Sequence, residues 1–343
     1  MNLEEALGQW LPLIEADLER RVTCGRELLR GFYGMLSYHL GFVDERLQPI
    51  RAHAGKRVRP ILTLLTAEGS GGAAAQALPA AVAIELVHNF SLIHDDVEDG
   101  SPLRRHRPTV WRLWGIPQAV NAGDAMFTLA HQALLDLVDL GVPSERVLHA
   151  IRRFEETCLA LTEGQYLDMA FEARESVTES EYLQMIERKT GALLSFAAEA
   201  GALIAGACER DVLAYRRFGA ALGRAFQIRD DVLGIWGDEE VTGKSAESDI
   251  LSRKKSLPVV HGLCAAGRAG DALRQIYRQA ELTMEQVPEV LALLEATGSR
   301  EYAEQLINAA HREALAALTE AQPGSGVDVA LRELLDMAAH RTA

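Results

Sequence analysis

Residues 81–99 read AVAIELVHNFSLIHDDVED: ten mostly apolar residues, four more without Gly or Pro, then three aspartates at positions 95, 96 and 99. In a helix of 3.6 residues per turn, positions i and i+4 lie about 40° apart, so Asp95 and Asp99 share a face with Asp96 beside them. The apolar run predicts a buried helix that ends in carboxylates, not a surface helix decorated with them. Back along the same face come Ser91 and His88, a polar stripe on an otherwise buried element. Buried polar groups need partners, and a ligand-filled cavity supplies them.

A second pair, Asp230-Asp231-Val232-Leu233-Gly234, lies 135 residues downstream in another segment of helical periodicity. Facing helices of a bundle are the usual way to bring such distant groups together. Carboxylates held close repel unless a cation separates them. Hard oxygen donors with room left for water suit Mg²⁺, which completes its shell with phosphate oxygens. A solvated acidic face is the alternative for one cluster alone; two clusters on helices, the first ending a core helix, favour a single magnesium-diphosphate site.

The rest of the chain is compatible with such a bundle. Of 343 residues 48% are hydrophobic and only 6% aromatic, and apolar positions recur at helical spacing with no strict alternation and no Asn-Gly or Asp-Gly set between alternating stretches as a hairpin signal. The expectation is an all-α protein of long, mostly antiparallel helices. The breaks at Gly69–Gly72, Asp99–Pro102, Gly141–Ser144, near Gly237 to Gly243 and at Gln322–Gly326 are too short for interdomain linkers, so residues 1–343 are expected to form one helical domain. A net charge of −14 argues against a nucleic-acid partner. The acidic, amphipathic start MNLEEALGQWLPLIEADLERR lacks a signal-peptide pattern, and no charge-free apolar run approaches 18 residues, so a cytoplasmic chain without a membrane span is expected. Cys24, Cys158, Cys208 and Cys264 form no CxxC pair and read as reduced, buried small hydrophobes.

Cations gather around the acidic clusters. Gly55-Lys56-Arg57-Val58-Arg59-Pro60 precedes an apolar helix, a layout that grips phosphate with side chains and helix-start amides together. Arg104-Arg105-His106-Arg107-Pro108-Thr109 follows the first cluster, Lys189-Thr190 opens a glycine-and-apolar helix, and Lys244, Lys254 and Lys255 follow the second cluster.

Taken in order, GKRVRP (55–60), DDVED (95–99), RRHRPT (104–109), AGDAMF (122–127), EGQYLD (163–168), KTGAL (189–193), FQIRDDVLG (226–234), GK (243–244) and KKSLP (254–258) make the chain resemble the trans-isoprenyl diphosphate synthases. The resemblance runs from about Gly55 to Pro258 and implies an all-α prenyltransferase built around a central cavity. It implies that Asp95, Asp99 and Asp230 ligate three Mg²⁺ that hold an allylic diphosphate, with Asp96 and Asp231 orienting them. Arg104, Lys189, Lys244 and Lys254 would add positive charge there. Gly55, Lys56, Arg59, His88 and Arg105 would hold isopentenyl diphosphate. Thr190, Gln227 and Asp168 would line the space where an allylic cation forms, with the ring of Phe226 beside it. The released diphosphate would take the proton, so no protein base is implied.

Three departures from the family pattern stand out. His106 replaces a usual glycine, Gly234 replaces a frequent third aspartate that Asp238 could partly substitute, and Trp111 and Trp114 have no role beyond lid or interface packing. Chain length is implied by Phe90, the bulky residue five positions before Asp95, followed by the small Ser91. This combination looks most like synthases that stop at the twenty-carbon geranylgeranyl product, with the fifteen-carbon farnesyl product next. A homodimer joined through the helix near Asn121–Asp124 is the family expectation. A class I terpene cyclase would leave GKRVRP and His88 idle, and a non-catalytic subunit of a heteromeric synthase would be expected to lose aspartates that this chain keeps.

Overall fold

The computed structural model describes residues 1–52, 55–237, 248–279, 281–324 and 326–340. The helices, in chain order, are α1 (Leu3–Arg21), α2 (Arg30–His39), α3 (Val58–Gly69), α4 (Ala74–Glu98), α5 (Val110–Trp114), α6 (Ile116–Leu135), α7 (Ser144–Glu172), α8 (Glu179–Ile186), α9 (Ala192–Ala205) and α10 (Glu209–Trp236). Shorter and longer helices follow at Ser248–Leu251, Leu257–Cys264, Arg268–Tyr277, Val287–Ala296, Ser299–Ala321 and Asp328–His340. The all-α expectation holds.

Local chemistry accounts for the ends. α1 starts at a capping box: the Asn2 side chain accepts from the Glu5 amide at 2.8 Å, and Glu5 accepts from the Asn2 amide at 3.0 Å. Its face of Trp10, Ile14 and Leu18 is fully buried at helical spacing. α4 is buried almost all round from Ala77 to Val87, the pattern of a central core helix. By length and composition α4 could also cross a membrane, with a window of mean hydropathy 1.3, but 67% of that window is buried inside the protein. Its neighbour α6 approaches closely because Gly123 has no Cβ; one there would collide with the His94 ring.

Contacts divide the chain into two units. The first comprises Met1–Glu155, Ala197–Leu213 and Ala321–Leu331 and holds the first aspartate cluster. The second comprises Glu156–Phe196, Ala214–Glu320 and Arg332–Ala343 and holds Asp230 and Asp231. Its core joins Phe171, Tyr182, Ile186, Ile228 and Leu257, with a smaller cluster around Ile250, Leu273, Val287 and Leu294.

One short element adds to the helices, and one expectation, that all four cysteines are buried, needs correction. A hairpin is present: β1 (Leu103–Arg104) pairs antiparallel with β2 (Arg107–Pro108). Strands of two residues are too short to show alternation, and the turn is Arg105-His106 rather than Asn-Gly. Of the four cysteines only Cys158 is buried; Cys208 and Cys264 are exposed and Cys24 is half-buried. Cys208 precedes α10 and Cys264 closes the helix Leu257–Cys264, and helix ends face solvent more readily than helix middles.

Candidate active site

In the first unit, α4 ends as the sequence predicts, with Asp95 and Asp96 in the last turn and Asp99 as the C-cap. Three carboxylates at the negative end of a helix dipole are unfavourable unless cations join them. Asp96 is buried and accepts from Arg104 Nε at 2.7 Å, whereas Asp95 is half-exposed and Asp99 exposed. The hairpin brings Arg104 there. Arg105 and His106 both take positive φ, 50° and 62°, the left-handed pair that closes a two-residue hairpin. His106 therefore keeps a backbone conformation that glycine adopts more readily, and its side chain is exposed. Arg107 anchors the return strand by stacking 4.0 Å over the Tyr38 ring and donating to the carbonyls of Tyr38 (3.1 Å) and Val43 (2.8 Å). Trp111 donates to Ser101 O at 2.9 Å, and Trp114 packs edge-on against Tyr38, so both tryptophans brace this loop.

Beside that hairpin lies a crowd of guanidinium groups. Arg57, the left-handed N-cap of α3 (φ 49°), is buried and donates to Glu85 Oε1 at 2.6 Å. Glu85 also accepts from Asn89 at 2.9 Å. The Nε atoms of Arg57 and Arg59 are buried without a hydrogen-bond partner among the described residues. Burial lowers the pKa of Arg59, with Glu85 opposing. Burial also brings Arg105 down to about 10, with Glu85 opposing and Arg57 and Arg104 reinforcing the shift. Burial first, then the neighbouring arginines, holds His88 and His39 well below the usual imidazole range, so both are neutral at pH 7. Gly55 (φ 96°) lets this happen: a Cβ there would lie 3.0 Å from Arg105 Nη2. Four arginines (57, 59, 104 and 105), Arg57 buried and the others half-buried, thus stand against two buried carboxylates, Glu85 and Asp96, an excess of positive charge that an anion relieves.

Of the GKRVRP cations, Arg57 and Arg59 enter this crowd while Lys56 is exposed. Arg57 was read from sequence only as one cation of the GKRVRP run, without a role of its own, and Glu85 and His39 were not marked. The left-handed N-cap that turns Arg57 inward has no signature beyond the preceding glycine. On α4, Ser91 donates to His88 O at 2.9 Å. Phe90 packs with Phe127 (5.0 Å) and His94 (4.8 Å), and the aromatic row continues through His131 to Phe154.

In the second unit, α10 carries a chain of polar contacts. Buried Asp231 accepts from Tyr182 Oη, from the Leu257 amide at 2.8 Å and from Gln227 at 3.2 Å. Burial raises its pKa, and Lys254, Tyr182, Leu257 and Gln227 oppose that shift. Burial, then the charge on Asp231, pushes Tyr182 well up, so its hydroxyl stays a donor. Gln227 in turn accepts from Thr190 Oγ1 at 2.6 Å. Lys189 pairs with Asp168 at 2.5 Å. Lys189 and Thr190 sit in a π-helical turn, Glu187–Gly191, of the kind found often at functional sites. Gly164 of the EGQYLD segment allows this turn to approach, since a Cβ there would be 2.6 Å from Lys189 Cα. Asp230 and Phe226 are half-buried on the same helix.

The two adjacent lysines separate in role. Lys254 is near enough to Asp231 to favour its charged form, while Lys255 is buried and donates to the carbonyls of Phe171 and Glu172 at the end of α7. Gly234 has a reason to lack a side chain: a Cβ would collide with the Asp249 carboxylate, which therefore occupies the neighbourhood that a third aspartate of the cluster would fill. Tyr182 and Asp249 were missed from sequence because each lies in another segment, brought in only by the fold. Lys244 and Asp238 lie outside the described residues.

Comparison with known proteins gives these features a family. The family model for polyprenyl synthetase matches residues 42–294. The (2E,6E)-farnesyl diphosphate synthase of Mycobacterium tuberculosis (strain ATCC 25618 / H37Rv) is 48% identical over 239 residues, 70% of this chain and 65% of that relative's own length. The geranylgeranyl diphosphate synthase of the same organism is 39% identical over 316 residues, covering 90% of this chain and 89% of that one. Among solved structures, the polyprenyl synthetase from Streptomyces coelicolor A3(2) superposes with a TM-score of 0.87 at 38% identity over 98% of both chains. With its acidic motifs on α4 and α10 and its arginine crowd beside the first of them, the chain belongs to the polyprenyl synthetase family.

Proposed function

We propose that the protein is a Mg²⁺-dependent prenyltransferase that joins isopentenyl diphosphate head-to-tail to an allylic diphosphate, giving a twenty-carbon product. The fifteen-carbon product is second, since relatives carry both the farnesyl and the geranylgeranyl synthase names. The observation that carries the reading is the set of Arg57, Arg59, Arg104 and Arg105 with neutral His88, a cationic cluster beside the aspartates of α4. A cyclase, which binds one diphosphate, has no use for it.

Asp95, Asp99 and Asp230 are hard oxygen donors of the type Mg²⁺ takes, and they would hold about three ions by the family pattern. Asp96 and Asp231 are engaged by Arg104 and by Tyr182 and the Leu257 amide, which fits an orienting role. When bound, the metal neutralises charge on a departing diphosphate. The chain's own groups account for the rest. Arg104, Lys189, Lys244 and Lys254 offset charge on the allylic leaving group. Arg59, Arg105 and His88, with Lys56 and Gly55, hold isopentenyl diphosphate so that its double bond faces the allylic carbon. Thr190, Gln227 and Phe226 line the space of the developing cation, and the Lys189–Asp168 pair keeps Lys189 in place. Phe90 and Ser91 set the limit on the growing tail. The chain acts as one catalytic domain over 1–343, in a cytoplasmic homodimer; exposed Ile116, Val120 and Leu135 on α6 are suited to a partner copy.

The test is substitution of the carboxylates. Asp95→Ala and Asp230→Ala should each abolish condensation while far-UV circular dichroism stays helical. Near-normal turnover of either variant at limiting Mg²⁺ would refute the metal assignment.

A further inference from the structure

Within the second unit, the helices Ser299–Ala321 and Asp328–His340 bring His311, Asp336 and His340 together, with one ligating atom of each inside 4.8 Å of the others. We propose that these three side chains bind a divalent transition-metal ion of the zinc class, at a site that uses none of the residues assigned above to the reaction and that fastens the two helices to each other.

Asp336 and His340 are four residues apart on one helix and so stand a turn apart on the same face. His311 comes from the other helix. Its Nε2 lies 2.7 Å from Asp336 Oδ1, and its ring packs against that of His340 with centroids 5.2 Å apart. The backbones beneath are fixed. Ala310 and Ala339, the residues next to His311 and His340, belong to one buried core cluster. Arg229 of α10 donates to Ala339 O at 2.7 Å and forks onto Glu304 with two bonds of 2.7 Å, tying both helices to α10. Donors carried on packed helices keep their spacing, so an ion meets a site already assembled and does not have to order one.

The donor set selects the ion. Two imidazoles and a carboxylate suit Zn²⁺, Ni²⁺ or Cu²⁺, whereas Mg²⁺ takes oxygen donors. Around a tetrahedral Zn²⁺ with bonds of about 2.0–2.1 Å the ligating atoms stand about 3.4 Å apart, a spacing that rotation of the exposed Asp336 and His340 side chains reaches. A hydrogen bond between His311 and Asp336 accounts for two of the three residues. It leaves out His340, whose imidazole contacts the His311 ring and makes no hydrogen bond or ion pair among the described residues. When the ion binds, Nε2 of His311 exchanges its proton for the metal. That proton passes to Nδ1 of a neutral ring, or to solvent from a charged one, and water completes the fourth position.

Isothermal titration with Zn²⁺ tests this, on the whole chain stripped by EDTA and dialysed into excess Mg²⁺. Wild type should bind Zn²⁺ in an event that Mg²⁺ does not suppress, and its thermal midpoint should rise, because the ion binds the folded chain alone. Co²⁺ in its place should give no thiolate charge-transfer band, which separates the site from the exposed Cys208 and Cys264. His340→Ala and Asp336→Asn, changes at exposed positions, should each weaken binding at least tenfold and remove the rise in midpoint while the metal-free midpoint stays in place. His311→Ala should weaken binding equally, and Asp95→Ala should leave it intact. No Zn²⁺ event in excess Mg²⁺, a thiolate band, an event unchanged in both His311→Ala and His340→Ala, or one lost in Asp95→Ala would overturn the proposal. None of these readouts involves turnover, so this site and the proposed reaction fail independently.

Discussion

Glu85 holds a charge in the interior for the sake of Arg57: their side chains are 3% and 0% exposed and 2.6 Å apart. Removing one member of a buried pair typically costs about 3–5 kcal/mol because the other charge is left uncompensated. Glu85→Ala should therefore lower the denaturation midpoint steeply, and a variant as stable as wild type would show that Arg57 finds another partner. The histidines of the same crowd give a pH test. His39 and His88 have folded pKa values well below 6.5, so below about pH 6.5 the unfolded chain takes up protons that the folded chain does not. Stability should fall as pH drops from 7 toward 5, at most about 1.4 kcal/mol per pH unit for each histidine. Thermal midpoints at pH 7.5 and 5.5 measure this, and His88→Gln should flatten the slope; a midpoint rising toward pH 5.5 would contradict the burial argument.

At the scale of elements, α4 is the part most legible in sequence. Its apolar length, its acidic end and the polar positions Ser91 and His88 are all consequences of one helical period. What lies around it was less legible. The hairpin that delivers Arg104 depends on two residues at positive φ, and neither arginine nor histidine announces that conformation as Asn-Gly does. The π-helical turn at Lys189 has no periodic signature, although the glycines at 164 and 191 mark where backbones meet. The aromatic row changes the prediction at Phe90. Phe90→Ala alone leaves Phe127 facing the gap, with His131 and Phe154 behind it. The single variant should lengthen products modestly and Phe90→Ala/Phe127→Ala further, since each added CH₂ buried is worth roughly 0.8 kcal/mol. Chromatography of dephosphorylated products decides, and an unchanged distribution in the double variant would place the limit on chain length elsewhere.

For the whole molecule, composition and periodicity sufficed for the all-α class, because helical spacing recurs along nearly the full length. The separation of the aspartates into two contact units was not legible, since long helices such as α7 and α10 are divided between units without any break in pattern. Nor was Asp249 beside Gly234, a proximity that spans a stretch of chain with no periodic link. Exposed Ile116, Val120 and Leu135 belong to the same scale. Val120→Asp should shift the sedimentation coefficient toward that of a monomer, and an unaltered coefficient would move the partner surface off α6.

Product analysis shows whether two diphosphate substrates are joined with a gain of five carbons. The purified protein is incubated with isopentenyl diphosphate, farnesyl diphosphate and Mg²⁺, and the dephosphorylated products are separated by length. The expected product is a linear twenty-carbon alcohol, formed only when both substrates are present, with one diphosphate released per unit added. A cyclic hydrocarbon from farnesyl diphosphate alone, or no elongated product from farnesyl, geranyl or dimethylallyl diphosphate, would contradict it.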